Sequence, residues 1–341
     1  RNTTGIQNVA IGFNAGYLSS SASANVAIGV NALFSNSTGT GNVAVGLDAL
    51  SANTSDDNTA TGWCALASNT TGAQNSANSN YALRSNTTGS YNTAIGRSAL
   101  QANTTARYNT AVGNLALSAN TTGEENNSLG YASLDANTTG TKNNAFGGAA
   151  LGKTTTGQKN SAFGMAAGTC ITTGSNNLTL GNDAGRATSP SGNITTGSNQ
   201  VVLGDDSITN LWCADTSISS SDLRDKTDIE DFTHGLDFVT KLNPKTYRWD
   251  KRSWYVTGDE SVLDVTPDGS KKKNKKHVGF MAQDVLALEQ EIGFANDKDD
   301  MLVVNQTEDE TRYGLKYERL VPVLVNAIKE LKAEIELLKN K

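Results

Sequence analysis

Ser221 and Lys226 stand five positions apart in the densest cluster of reactive residue types in the chain, Ser219-Ser220-Ser221-Asp222-Leu223-Arg224-Asp225-Lys226. A serine hydroxyl is inert near neutrality until a base takes its proton, and an amine serves as that base once desolvation has lowered its pKa. Serine and lysine are therefore residue types from which a nucleophile and its base can be built, and a target bond in the same chain would meet them at a very high effective concentration, so that one slow turnover needs little further machinery. The same residues also read as an ordinary helix start, with Ser221 or Asp222 capping exposed amides. Asp225 bears on the choice, since an acidic neighbour holds Lys226 protonated and slows cleavage.

Other residues offer less. His234 and His277 are the only histidines and lie far apart, and Cys64, Cys170 and Cys213 show no paired spacing, so they read as small reduced core residues. Neither a metal site nor a cofactor is expected. The repeated Asn-Thr-Thr matches a glycosylation acceptor, but turn chemistry already explains it. Lys271-Lys272-Lys273-Asn274-Lys275-Lys276 reads as a solvated loop, because no aromatic residue interleaves it. A net charge of −6 gives no reason to expect nucleic acid or an anionic membrane as partner. No apolar run approaches the roughly 20 residues of a membrane span.

Ahead of this cluster lies a repeat. Asn8, Asn25, Asn42, Asn58, Asn75, Asn92, Asn109, Asn126, Asn143, Asn160 and Asn177 each open a copy of Asn-x-Ala-Ile-Gly, seventeen residues apart except for the sixteen-residue step from Asn42 to Asn58. A weaker twelfth copy is read at Asn199 to Gly204. So short a period belongs to a solenoid, in which each copy is completed by its neighbours. The unit predicts one turn of a β-coil with two short strands and a return turn at Asn-Thr-Thr-Gly. Alternation places Ile95 on one strand face and Ala94 on the other, with Ile28, Ile95 and Val112 inaccessible and the Asn-Thr-Thr turns exposed. Successive asparagines can form an amide ladder. A coil this poor in apolar volume, with alanine on one face, predicts an oligomeric shaft whose chains approach closely.

Composition divides the chain in the same place. Residues 1–200 hold 15 charged side chains, residues 221–341 hold 44, and all four prolines lie beyond residue 188. The expected layout is a repeat shaft over 1–205, a linker over 206–220 and a second domain over 221–341. Its end, about 316–340, carries Tyr317, Val321, Leu324, Ile328, Leu331, Ile335 and Leu338 alternately four and three apart, a coiled-coil seam. The chain opens at Arg1 without Met, which implies a longer parent.

Four motifs in fixed order extend the chemistry: the Ser221-to-Lys226 cluster, Leu242-Asn243-Pro244-Lys245-Thr246-Tyr247-Arg248-Trp249, His277-Val278-Gly279-Phe280-Met281-Ala282-Gln283-Asp284-Val285, and Tyr317-Glu318-Arg319-Leu320-Val321-Pro322-Val323-Leu324. Together they resemble the intramolecular chaperone with auto-processing peptidase activity at the C-termini of phage tailspikes, endosialidases and tail fibres. The resemblance covers residues 217–341. It implies a domain that trimerises, templates the β-rich fibre ahead of it and cuts itself away. Ser221 would be the nucleophile and Lys226 its partner, with cleavage between Ser220 and Ser221 and with Asp222, Arg224 and Gln283 as supporting residues. The shaft more loosely resembles the head repeats of trimeric autotransporter adhesins, which form a trimeric parallel β-roll. Those repeats are shorter, so the extra residues should bulge at Asn-Thr-Thr-Gly.

The fold class expected is mainly β: a trimeric parallel β-roll or β-helix shaft, then an α+β chaperone domain ending in a coiled-coil helix. The function implied is a phage or phage-like tail fibre, a virion component assembled in the host cytoplasm. Its partners would be itself as a homotrimer, a host cell-surface receptor or glycan, and other tail proteins through a preceding region. The alternatives are a polysaccharide-degrading tailspike and a trimeric adhesin with a retained trimerisation cap. Glycan hydrolysis needs a carboxylate pair in a groove, and the shaft's acids, such as Asp48, Asp56, Asp57, Asp135 and Asp183, fall at shifting repeat positions.

Overall fold

The computed structural model describes residues 3–208, 210–211, 221, 223–256, 262–307 and 310–340. They form two compact units, Arg1–Ser207 and Ile208–Lys341.

In the first unit the period becomes a β-solenoid. Each copy gives one three-residue strand, from β1 (Val9–Ile11) to β12 (Val201–Leu203), and the twelve strands pair in parallel, in chain order, in a single sheet. Like residues face like along the axis: Ala94 pairs with Ala111 and Ile95 with Val112. The expected second strand is absent from the described coils. Three positions in each regular repeat instead take left-handed backbone, as Ser98 (φ 58°), Leu100 (φ 50°) and Tyr108 (φ 60°) do, and a chain that turns this sharply cannot run on as a strand.

Inside and outside are reversed relative to the expectation. Ala94, Ala99 and Leu100 are fully buried in the bore, whereas Ile95 is 43% exposed on the outer face of its strand. A circumference of seventeen residues encloses little volume, so it accepts two alanines, one leucine and two asparagines per rung and leaves the branched strand residue outside. The alanines thus answer to the coil's own bore and not to a neighbouring chain. What the coil presents outward is a stripe of Ile11, Val45, Ile95, Leu129 and Leu180, each at least 36% exposed.

The two buried asparagines build two ladders. In one, the Asn92 backbone N–H donates to Asn75 Oδ1 (3.0 Å) while Asn92 Nδ2 donates to the Ala106 carbonyl (2.9 Å). In the other, Asn103 Nδ2 donates to Asn86 Oδ1 (2.7 Å) and Asn120 Nδ2 donates to Asn103 Oδ1 (3.0 Å). The Asn-Thr-Thr-Gly segment is therefore part of the wall and does not bulge, because its turn amides and carbonyls need internal partners once the bore excludes water. At the sixteen-residue step Ser55 takes the glycine's place, and its hydroxyl donates to Asn53 Oδ1 (2.9 Å). The twelfth rung is registered by Gln200, whose N–H donates to Asn177 Oδ1 (3.0 Å); Asn199 stands one place earlier, beside Asn176.

Glycine after the strand is a steric requirement. Gly96 has φ +131°, and a Cβ there would lie 2.4 Å from the Gly113 carbonyl oxygen of the next rung. Ser79 occupies that position at φ 127°.

The second unit is built on short pieces. Two antiparallel pairs, β13 (Lys245–Tyr247) with β14 (His277–Gly279) and β15 (Val304–Gln306) with β16 (Tyr313–Leu315), accompany α1 (Leu236–Val239), α2 (Ala282–Glu291) and α3 (Leu320–Lys339). Phe238, Val285, Val303, Val304, Leu320 and Val323 form the core. Glu289 is fully buried within it and accepts the backbone N–H groups of Leu302, Val303 and Val304 at 2.9, 2.7 and 2.8 Å, which compensates its desolvation. Asn326 donates to the Phe232 carbonyl, and Glu330 accepts the Leu236 N–H (2.8 Å), so α3 holds the start of α1.

Candidate functional site

A short 3-10 turn, Leu223–Asp225, folds the chain back so that the Lys226 N–H reaches the Leu223 carbonyl (3.2 Å). The turn brings the Lys226 side chain over Ser221, and Nζ donates to Ser221 Oγ at 2.8 Å. That separation suits direct proton transfer between amine and hydroxyl. Both residues are exposed on the single chain. General-base work by an amine calls for exclusion of water, which the single chain does not provide here. Ser220 and Asp222 lie outside the described residues, as does the Asp225 side chain. Arg224 sits exposed in the turn. Gln283 lies exposed in the first turn of α2, with no hydrogen bond to Ser221 or Lys226 among the described residues.

Of the seam residues, Val321, Leu324, Ile328, Leu331, Ile335 and Leu338 are all exposed on α3, while its other face, with Leu320, Val323 and Ala327, packs into the domain. Tyr317 leaves the seam: it lies in a 3-10 turn ahead of the helix, its hydroxyl accepting the Phe280 N–H (3.1 Å). A side chain on Gly279 would collide with that hydroxyl, which explains the His-Val-Gly-Phe order.

The lysine run has the aromatic company its sequence lacks, because pairing of β13 with β14 brings residues 247–255 beside it. Lys273 Nζ lies 4.8 Å from the Trp254 ring centre and Lys271 Nζ 5.1 Å from that of Tyr255, distances for cation–π attraction. Thr246, Tyr247, Arg248, Lys272 and Lys276 line an open cavity of about 270 Å³. Burial, helped by Tyr317, pushes the Tyr247 phenol up.

A second grouping, in the shaft, escaped the reading of single residues. The Trp63 and Tyr81 rings stand 4.9 Å apart, and the Arg84 guanidinium lies 5.4 Å from the Tyr81 ring centre. These residues are eighteen and three positions apart, so the period alone brings Trp63 beside the rung of Tyr81 and Arg84. The signal was there in the register.

Residues 221–294 match the family model Peptidase_S74, described as the chaperone of endosialidase. That segment contains Ser221, Lys226, both strands of the β13–β14 pair and Gln283. No curated protein and no solved structure matches the chain. A segment similar to the endosialidase chaperone, following a β-solenoid, fits a phage tail fibre or tailspike. No helix among the described residues is long and apolar enough to cross a membrane.

Proposed function

We propose that the chain is a tail-fibre segment of a phage or phage-like particle that serves host attachment, trimerised and folded by its C-terminal domain, which then cuts itself at Ser220-Ser221. The observation that carries the reading is the Lys226–Ser221 contact inside the segment that matches the endosialidase chaperone. In the reaction Ser221 Oγ attacks the Ser220 carbonyl carbon and gives its proton to Lys226 Nζ. The C–N bond then breaks, the Ser221 nitrogen takes the proton back, and water hydrolyses the resulting ester, leaving Ser220 as a carboxylate and Ser221 as a free amine. Asp222, Arg224 and Gln283 would support this geometry.

Trimerisation is supported by two unpartnered apolar surfaces, the outer stripe of the solenoid and the α3 seam. Assembly also supplies the missing condition for chemistry, since burial of Lys226 by a neighbouring chain would remove water from the amine. Fresh protein run on a denaturing gel, with intact mass, should show fragments corresponding to residues 1–220 and 221–341. Ser221→Ala and Lys226→Ala should each leave a whole chain that still trimerises. If correctly assembled wild type stays whole after prolonged incubation, the domain is a retained trimerisation cap and the peptidase assignment fails.

A further inference from the structure

Several departures from the repeat gather on two adjoining rungs of the solenoid. The third strand residue, on the outer face, is Ile, Val, Leu or Phe in ten of twelve rungs, and polar in two that adjoin, Thr61 in β4 (Thr59–Thr61) and Asn78 in β5 (Ser76–Asn78). The residue after the strand is Gly in every rung except β5, where Ser79 stands in strained backbone. The only sixteen-residue step ends at Asn58, at the start of the β4 rung. Trp63, the only tryptophan of the first unit, projects from that rung 48% exposed, beside half-buried Tyr81 and exposed Arg84. Rung stacking locks the arrangement: the Tyr81 N–H donates to the Trp63 carbonyl (2.9 Å), and the Trp63 N–H donates to Asn80 Oδ1 (3.1 Å).

In a repeat array, uniform rungs suffice for stacking, and Thr61, Asn78 and Ser79 lower apolar contact or add strain relative to them. Their chemistry is coherent. A fixed exposed indole offers an apolar plate, the guanidinium a planar fork of donors, and Thr61, Asn78 and Asn80 amphoteric hydroxyl and amide groups. Such a set suits a pyranose ring, which has an apolar face of C–H groups and a rim of hydroxyls. It suits nucleic acid poorly, since Arg84 is the one cation of the cluster. We propose that Trp63, Tyr81 and Arg84, with Thr61, Asn78 and Asn80 around them, form a binding site for a hexose unit of a cell-surface polysaccharide. This rests on the attachment reading for the source of the polymer. Residues 63–84 stay with the shaft whether or not the C-terminal domain is released.

The test uses the whole chain, titrated with maltohexaose, cellohexaose and a galacturonate hexamer by calorimetry, and in parallel incubated with bacterial cells that capture the wild type. Binding of at least one hexasaccharide, weakened about tenfold or more by Trp63→Ala and several-fold by Arg84→Gln, is expected. Tyr91→Ala, which removes one of a stacked exposed pair on regular rungs, should leave affinity unchanged. Since Trp63 is half exposed and its main partner is the Tyr81 ring, Trp63→Ala should lower the unfolding midpoint only slightly and leave the solenoid folded, and Trp63→Phe should restore part of the affinity. The site is overturned if none of the three hexamers binds at concentrations on the order of millimolar, or if Trp63→Ala binds as wild type does. It is also overturned if duplex DNA binds with the same dependence on Arg84. Cells captured equally by wild type and Trp63→Ala would sink the site and leave attachment standing, whereas wild type captured by no cells would sink both.

Discussion

Replacing Gly96 by Ala tests how closely the rungs approach. The new methyl would stand 2.4 Å from the Gly113 carbonyl oxygen and 2.6 Å from its carbon, both backbone atoms of the next coil. Neither can swing aside, because the Gly113 N–H is bonded to the Ile95 carbonyl (2.8 Å) and the Gly96 N–H to the Asn78 carbonyl (2.9 Å). A non-glycine residue at φ +131° costs about 1–3 kcal/mol, and forcing the overlap adds about 1–3 kcal/mol, so destabilisation of about 2–6 kcal/mol is expected. Urea unfolding of the intact assembly measures it, and hydrogen exchange should show lost protection spreading from residues 92–96 into the rungs on both sides. The reverse change, Ser79→Gly, relieves strain already present and should stabilise by about 1 kcal/mol after the greater chain entropy of glycine is subtracted. A loss below about 1 kcal/mol for Gly96→Ala, or a loss for Ser79→Gly, would refute the argument from close approach.

Leu100 is buried at φ 50°, so Leu100→Ala should cost about 3–5 kcal/mol, and Leu100→Gly should cost about 0.5–1 kcal/mol less than Ala, the reverse of the usual order, as thermal or urea unfolding of the two variants would show. Asn103→Ala removes the acceptor of Asn120 Nδ2 and the donor to Asn86 Oδ1 in a dry bore and should lose about 2–4 kcal/mol in the same assay. In an uncut Ser221→Ala background, Leu331→Asp places a charge on the exposed α3 seam, so size measurement in native buffer should drop from three times the 35.7 kDa chain mass to one, with the domain's own circular dichroism retained.

Period and register were legible through the eleventh rung because the Asn, Ala and Gly positions each answer a local demand: a buried amide partner, a narrow bore, a close backbone approach; at the twelfth, Gln200 holds the ladder position and Asn199 drew the register one place early. Facing was not legible. Hydrophobicity places Ile95 inside, but the volume of a seventeen-residue coil is decided by closure of the chain, which no single strand reports. The left-handed positions were also largely hidden, since Leu100, Tyr108 and Lys142 carry no turn signal, and Asn, Asp or Gly, as at Asn31, Asp48 and Gly168, stands there only in some rungs. At the candidate site, the pairing of Ser221 with Lys226 came from the four-motif resemblance, and the 3-10 turn brings the two side chains to 2.8 Å. The aromatic setting of the lysine run depended on β13 meeting β14 across about thirty residues, and adjacency in sequence is silent about that.

The bonds between rungs run along the axis of the solenoid, which fixes how it responds to a pull at its two ends. Force along the axis loads the rungs in series, so every interface carries the full tension and the weakest opens first. A folded rung contributes about 4.8 Å of length, and its seventeen residues drawn straight span about 58 Å. Each opening therefore lengthens the strand roughly tenfold locally and lets the tension fall before the next rung is reached. A shaft made this way behaves less like a stiff rod than like a shock absorber, giving up length in discrete steps under a sudden jerk and recovering it by restacking when the load is gone.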